Sequence, residues 1–121
     1  MRSVLIVEDD EDARVLGRMV LECGGFAVTT ATNGAEALRS VQRAPPCVIL
    51  LDLMMPVMDG MATMQAIRKL PAGKNLPIIA VTAKAMKGDR EKCIEAGAWD
   101  YLSKPVNTED LLAVLRAWLP Q

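Results

Sequence analysis

The sequence predicts an α/β fold, a five-stranded parallel sheet with helices on both faces, built as one domain over residues 1–121. Three observations carry that expectation. Short apolar runs alternate from end to end with segments of helical spacing, the pattern of repeated β/α units. The strongest runs do not alternate apolar with polar residues, so those strands are covered on both faces, as parallel strands are. The links between them are short and marked by glycine or proline.

Ser3–Val7 opens the chain as a strand, with Val4, Leu5, Ile6 and Val7 all apolar. Glu8-Asp9-Asp10-Glu11-Asp12 follows, a third of the chain's fifteen acidic residues in one stretch. Glu11 and Asp12 suit the first turn of a helix, where the dipole favours negative charge. Leu16, Met19, Val20 and Cys23 share a face of that helix, and Gly24-Gly25 ends it. Ala27–Ala31 is the second strand; Ala37, Leu38 and Val41 mark the second helix, and Pro45-Pro46 the connection after it. Cys47–Asp52 is the third strand, and Met61, Met64 and Ile67 repeat along the third helix. An exposed connection from Pro71 to Pro77 leads into strand four, Pro77–Thr82. Gly97 closes a fourth helix, Trp99–Leu102 is the fifth strand, and Leu111, Leu115 and Trp118 line the last helix.

Composition removes several function classes. A chain of 121 residues buries a proper core without room for a second domain. Its net charge of −1 and lack of a basic cluster give no basis for nucleic-acid binding. Three cysteines with no CxxC spacing read as reduced, mostly buried thiols of a cytoplasmic protein. Neither a signal peptide nor an apolar stretch of membrane-spanning length is expected. With no histidine, the chain has no Ser-His-Asp triad, no histidine-ligated zinc and no phosphohistidine of its own.

The chemistry is carried by the strand ends. Glu8 and Asp9 follow strand one, Asp52 ends strand three, Thr82 ends strand four, and Lys104-Pro105 follows strand five. Open α/β sheets hold their ligands at this edge. Carboxylates so placed repel one another unless a cation neutralises them, and hard oxygen donors without histidine suit Mg²⁺. A nucleophilic aspartate, an acid-held cation, a hydroxyl and a lysine are the parts needed to move a phosphoryl group onto a carboxylate.

At these residues the chain resembles the receiver domain of two-component response regulators. The likeness rests on the acids after strand one, Asp52-x-x-x-Pro56-x-x-Asp59-Gly60, Thr82-Ala83 and Tyr101-x-x-Lys104-Pro105, and it covers the whole chain. It implies a flavodoxin-like, doubly wound sheet of order 2-1-3-4-5, the order of the chemotaxis member of that family. It also implies Asp52 as phosphoryl acceptor, with Mg²⁺ on Asp9, Asp52 and the Met54 carbonyl and with Glu8 acting largely through water. Thr82 and Lys104 would contact the phosphoryl group, Tyr101 would be a switch aromatic, and the Lys104–Pro105 bond would be cis. Glu8 stands where many members carry aspartate, and a register using Asp9 and Asp10 as the acid pair stays open.

The function expected is therefore a signalling switch, phosphorylated by a histidine kinase or histidine phosphotransfer protein and not a turnover enzyme. Two alternatives compete. An aspartate-nucleophile phosphatase would place its nucleophile after strand one, but Asp10-x-Asp12 is followed by Arg14 where such enzymes carry Thr or Val two residues on. A receiver-like module that is never phosphorylated would not need Glu8, Asp9, Asp52, Thr82 and Lys104 together. Trp99, Tyr101 and Leu112 suggest a homodimer or output-partner face. Asp59 reads as a helix cap, Pro56 as a turn residue, and the methionines around them as packing.

Overall fold

The computed structural model describes residues 2–54, 60–82, 88–104 and 106–118. Its strands are β1 (Ser3–Val7), β2 (Ala27–Ala31), β3 (Val48–Asp52), β4 (Ile78–Thr82) and β5 (Asp100–Ser103). They form one parallel sheet in the order β2-β1-β3-β4-β5. Helices α1 (Glu11–Cys23), α2 (Gly34–Arg43), α3 (Gly60–Lys69), α4 (Asp89–Ala96) and α5 (Thr108–Trp118) alternate with the strands. Fold class and strand order are those expected. β3, β4 and β5 each begin one residue later than expected, so Trp99 precedes its strand instead of opening it.

Two apolar cores lie on opposite faces of the sheet, because side chains alternate along each strand. Leu5 and Val7 of β1 join Ile49 and Leu51 of β3 beneath Ala37 and Val41 of α2, Met64 and Ile67 of α3, and Cys93 of α4. Val4 and Ile6 join Val48, Leu50 and Ile79 beneath Leu21 of α1 and Leu111 and Leu115 of α5. The central strands β1 and β3 are buried on both sides, which is why their sequences read as unbroken apolar runs.

Helix α1 corrects one expectation. Its buried residue is Leu21, while Leu16 and Met19 are 63% and 59% exposed and Cys23 also faces solvent. The cause is Gly17: a Cβ there would already touch Ile6 Cδ1 at 3.4 Å, so the helix backbone lies close against the sheet along the Gly17–Leu21 line. Of the four residues that share the apolar face read from the sequence, Val20 packs against the core. None of the three cysteines is in a disulfide, but only Cys93 is buried and Cys47 is half-buried, so "mostly buried" fails at Cys23.

Local chemistry fixes the helix ends. The Asp10 carboxylate accepts from Ala13 N–H at 3.1 Å as the N-cap of α1. Asn33 caps α2 by accepting from Glu36 N–H at 2.9 Å, and Glu36 Oε1 accepts from the Thr32 amide and hydroxyl. At the far end of the sheet, Arg68 donates to the Gly97 carbonyl from Nε and Nη2 and to the Gly73 carbonyl from Nη1. One guanidinium thus ties α3 to the turns before β4 and β5. Among the described residues, no helix is long and apolar enough to cross a membrane.

Candidate functional site

Because every strand is parallel, the ends of β1, β3, β4 and β5 open on one edge of the sheet. The chain reverses its direction of winding at β1 and β3, which leaves a crevice above them. Glu8 and Asp9 leave β1 into that crevice, and Asp52 ends β3 beside them. One carboxylate oxygen from each of Glu8, Asp9 and Asp52 lies within 4.8 Å of the others. Glu8 and Asp52 are buried, at 6% and 3% exposure, and Asp9 is exposed.

Lys104 arrives from the end of β5. Its ammonium donates to Glu8 Oε1 at 2.9 Å and to Asp52 Oδ2 at 3.3 Å. Its backbone N–H donates to the Thr82 carbonyl at 2.8 Å, which fixes the lysine next to β4. Thr82 is buried one step past Val81, the β4 residue in register with Asp52. Met54 N–H donates to Asp52 Oδ1 at 2.9 Å, and the Met54 side chain is 46% exposed at the mouth of the crevice. Tyr101 pairs in register with Ala80 and packs partly against the core beneath α2, α3 and α4. The Trp99 ring, just before β5, meets that of Trp118.

Asp10 stays outside the carboxylate cluster because its side chain caps α1. Among the described residues, the carboxylates that come together are those of Glu8, Asp9 and Asp52. Sequence reasoning missed Arg14, which donates from Nη1 to the Glu8 carbonyl at 3.1 Å and braces the strand end. A cation one turn into a helix that begins with acids was the available signal. It also missed that Glu8 would reach Lys104. Pro56, Asp59, Lys84 and Pro105, with Met55 and Met58, lie outside the described residues.

Burial, together with the neighbouring Asp52 carboxyl, raises the Glu8 pKa to about 7 against an ordinary 4.5, although Lys104 opposes the rise. Burial works to lower the Lys104 pKa, but hydrogen bonds and charge from Glu8 and Asp52 outweigh it and hold the ammonium above its ordinary value. Among the described residues, three carboxylates thus face one ammonium. The uncompensated negative charge and the all-oxygen donor set fit a hard divalent ion such as Mg²⁺.

Residues 4–116 match the response regulator receiver domain, and the chain belongs to that family. The transcriptional regulatory protein PrrA of Mycobacterium tuberculosis is 40% identical over 96% of this chain and 49% of its own length. The chain therefore spans about half of that relative, whose length it matches at 49%. The Vibrio cholerae chemotaxis protein CheY4 superposes with a TM-score of 0.93 at 35% identity, covering 98% of this chain and 99% of its own. The receiver domain of sensor histidine kinase PA1611 from Pseudomonas aeruginosa superposes with a TM-score of 0.89 at 38% identity, over 97% of this chain and 96% of its own. That structure holds a magnesium ion in its active-site cleft. This chain is a receiver domain of the two-component type, and its acidic pocket is consistent with Mg²⁺-dependent acceptance of a phosphoryl group.

Proposed function

We propose that residues 1–121 act as a single receiver unit in which Asp52 accepts a phosphoryl group from a phosphohistidine of another chain. The convergence of Glu8, Asp9, Asp52 and Lys104 at one sheet edge carries this reading. The donor is a histidine kinase or phosphotransfer protein, since this chain contains no histidine. An Asp52 oxygen forms its bond to phosphorus as the bond from phosphorus to the donor nitrogen breaks. The imidazole keeps the electron pair and takes up a proton.

Asp9, Asp52 and the Met54 carbonyl would hold the metal, with Glu8 acting largely through water. When bound, Mg²⁺ offsets charge on the transferring oxygens. Lys104 supplies a second positive charge to those oxygens, and the Thr82 hydroxyl donates to one of them. The domain promotes its own phosphorylation and hydrolysis and does not turn over free phosphomonoesters. Its setting is the cytoplasm, and its output surface is the edge formed by Trp99, Tyr101 and Leu112, used by a second copy or an output partner.

Acetyl phosphate or beryllium fluoride, with and without Mg²⁺, tests the core of this. Both should react or bind only with the divalent ion present, and Asp52→Ala should abolish labelling. Persistent labelling of Asp52→Ala would sink the acceptor assignment, while metal-independent labelling of Asp9→Ala would remove the metal role. For the surface, a Trp99→Ala, Leu112→Ala double variant should weaken self-association or partner binding. Unchanged sedimentation and pull-down would count against that face.

A further inference from the structure

Arg14 is a cation at the unfavourable end of a helix. Its own N–H closes the first turn of α1 on the Asp10 carbonyl, where the positive end of the helix dipole works against it. Side chains of a helix lean toward its N-terminus, so the arginine reaches back over the opening turn to the end of β1. There Nη1 donates to the Glu8 carbonyl at 3.1 Å. The Glu8 N–H donates to the Ala31 carbonyl of β2 at 3.0 Å, so the Glu8 backbone is held from both sides. Two residues on, the Asp10 N–H donates to Glu8 Oε2 at 3.3 Å, and the Asp10 carboxylate caps α1. Asp9 lies between these fixed points. It is the exposed member of the carboxylate cluster and lacks the packing that confines Glu8 and Asp52. The direction of its carboxylate therefore depends on the peptide planes either side, and Arg14 grips the plane that joins it to Glu8. Arg14 also lies near α2: its charge adds, after the Thr32 hydrogen bonds and Arg39, to what holds Glu36 below the ordinary glutamate range.

We infer that Arg14 is a positioning residue for the metal site: by fixing the peptide between Glu8 and Asp9, it aims the Asp9 carboxylate at the place the divalent ion takes. This role rests on the metal role proposed above for Asp9 and Asp52, and it adds a residue that touches neither the ion nor the phosphoryl group. It also has a sign opposite to that of charge alone. A further positive charge beside a cation site repels the ion, so on electrostatics alone the loss of Arg14 would tighten Mg²⁺ binding. If Arg14 acts by holding the backbone, its loss loosens Asp9 and weakens binding. Groups that orient metal ligands from outside change metal affinity by about 10- to 100-fold when removed. Arg14 is half-buried and water can take its place at the Glu8 carbonyl, so the lower end of that range applies.

Calorimetric titration of the whole chain with Mg²⁺, without phosphodonor, compares wild type with Arg14→Met. Methionine keeps the helix propensity and removes both the donor and the charge. Circular dichroism on the same samples reports the fold. Arg14→Met should bind Mg²⁺ about tenfold more weakly than wild type. Labelling by acetyl phosphate should return to the wild-type rate once Mg²⁺ saturates, because Asp52, Thr82 and Lys104 are untouched. Mg²⁺ binding equal to or tighter than wild type would overturn the positioning role and leave the metal site standing. A labelling rate that stays low at saturating Mg²⁺ would overturn it too, since the defect would then lie in the transfer and not in metal placement. Failure of the wild type to bind Mg²⁺ would overturn it together with the reading beneath it. Should Arg14→Met not fold, Arg14→Lys decides, because it keeps the charge but replaces a rigid fork with a point charge on a flexible stem. Weaker Mg²⁺ binding by that variant supports positioning, and unchanged binding refutes it.

Discussion

The indole rings of Trp99 and Trp118 meet edge to face, with centroids 5.4 Å apart and planes at 68°. Trp118 Nε1–H also donates to Asp100 Oδ2 at 3.0 Å, and Arg90 approaches Asp100 Oδ1 at 3.7 Å. The last turn of α5 is thereby pinned to the start of β5, with α4 attached through an exposed arginine. Both indoles remain 39% exposed, so the pair is a preformed aromatic surface and not a piece of core.

That geometry sets the first expectation. Edge-to-face aromatic pairs contribute about 0.5–1.5 kcal/mol beyond area burial. A double-mutant cycle of Trp99→Ala and Trp118→Ala in urea unfolding should return a coupling in that range. Arg90→Ala should cost much less, because its pairing with Asp100 is solvent-screened and Arg90 is 65% exposed. Strictly additive tryptophan variants would mean that the rings are neighbours without an energetic bond.

How much of this was legible in the sequence depends on the distance over which each signal acts. Val4 to Val7 and Val48 to Leu51 are buried on both faces, so their apolar runs announced strands and the sheet directly. The acids and the lysine at strand ends were legible because a charge ending an apolar run is costly without a partner. Leu16 and Met19 misled, because helical periodicity shows that an apolar stripe exists and not which stripe faces the sheet. Gly17 decided that by allowing close approach. The Glu8–Lys104 contact joins residues 96 apart in the chain, and no local pattern encodes such a distance.

Acid–base linkage at Glu8 gives the second expectation. The folded chain holds its proton up to about pH 7, against 4.5 for an ordinary glutamate. Between those values the folded state binds more protons than the unfolded one, so stability falls as pH rises. The contribution is fully present below the ordinary value and is lost as the pH rises through about 7. Metal-free wild type should melt progressively lower across that window. Glu8→Gln, which cannot ionise, should lack this component and melt above wild type on the alkaline side. Millimolar Mg²⁺ should recover most of the wild-type loss. Parallel pH profiles for the two proteins would assign the effect elsewhere.

Gly60 supplies the third. It opens α3 directly behind the end of β3, and a Cβ built on it would clash with Leu53 Cα and sit 2.6 Å from the Asp52 carbonyl oxygen. Both atoms are backbone, so neither can swing aside. Gly60 N–H also donates to the Leu53 carbonyl at 3.2 Å. Gly60→Ala must therefore push the helix away from the Asp52 strand end, at about 1–3 kcal/mol, the usual cost of overpacking. Thermal melts should show the loss, and phosphorylation of Asp52 by acetyl phosphate should slow with it. An alanine variant with wild-type melting would mean that the β3–α3 junction relaxes more freely than this packing allows.

The last expectation concerns how long a phosphoryl group stays on Asp52. Hydrolysis needs a water in line with the bond from phosphorus to the Asp52 oxygen, so side chains flanking that approach control the rate. Met54 is two residues past Asp52 and its side chain is exposed at the crevice mouth, while its amide is tied to the Asp52 carboxylate. Its thioether offers the water no good hydrogen bond, and its bulk shields the phosphoryl group. By family resemblance the partner position is Lys84, two past Thr82, which lies outside the described residues. An ammonium donates to phosphoryl oxygens but has no lone pair with which to orient a water. Both side chains favour slow loss of phosphate. Met54→Asn with Lys84→Glu should shorten the phosphorylated half-life by roughly tenfold, or about 1.4 kcal/mol of barrier. Phosphate release after donor removal, followed in the presence of Mg²⁺, measures this, and a double variant that releases no faster than wild type would show that the rate is set elsewhere.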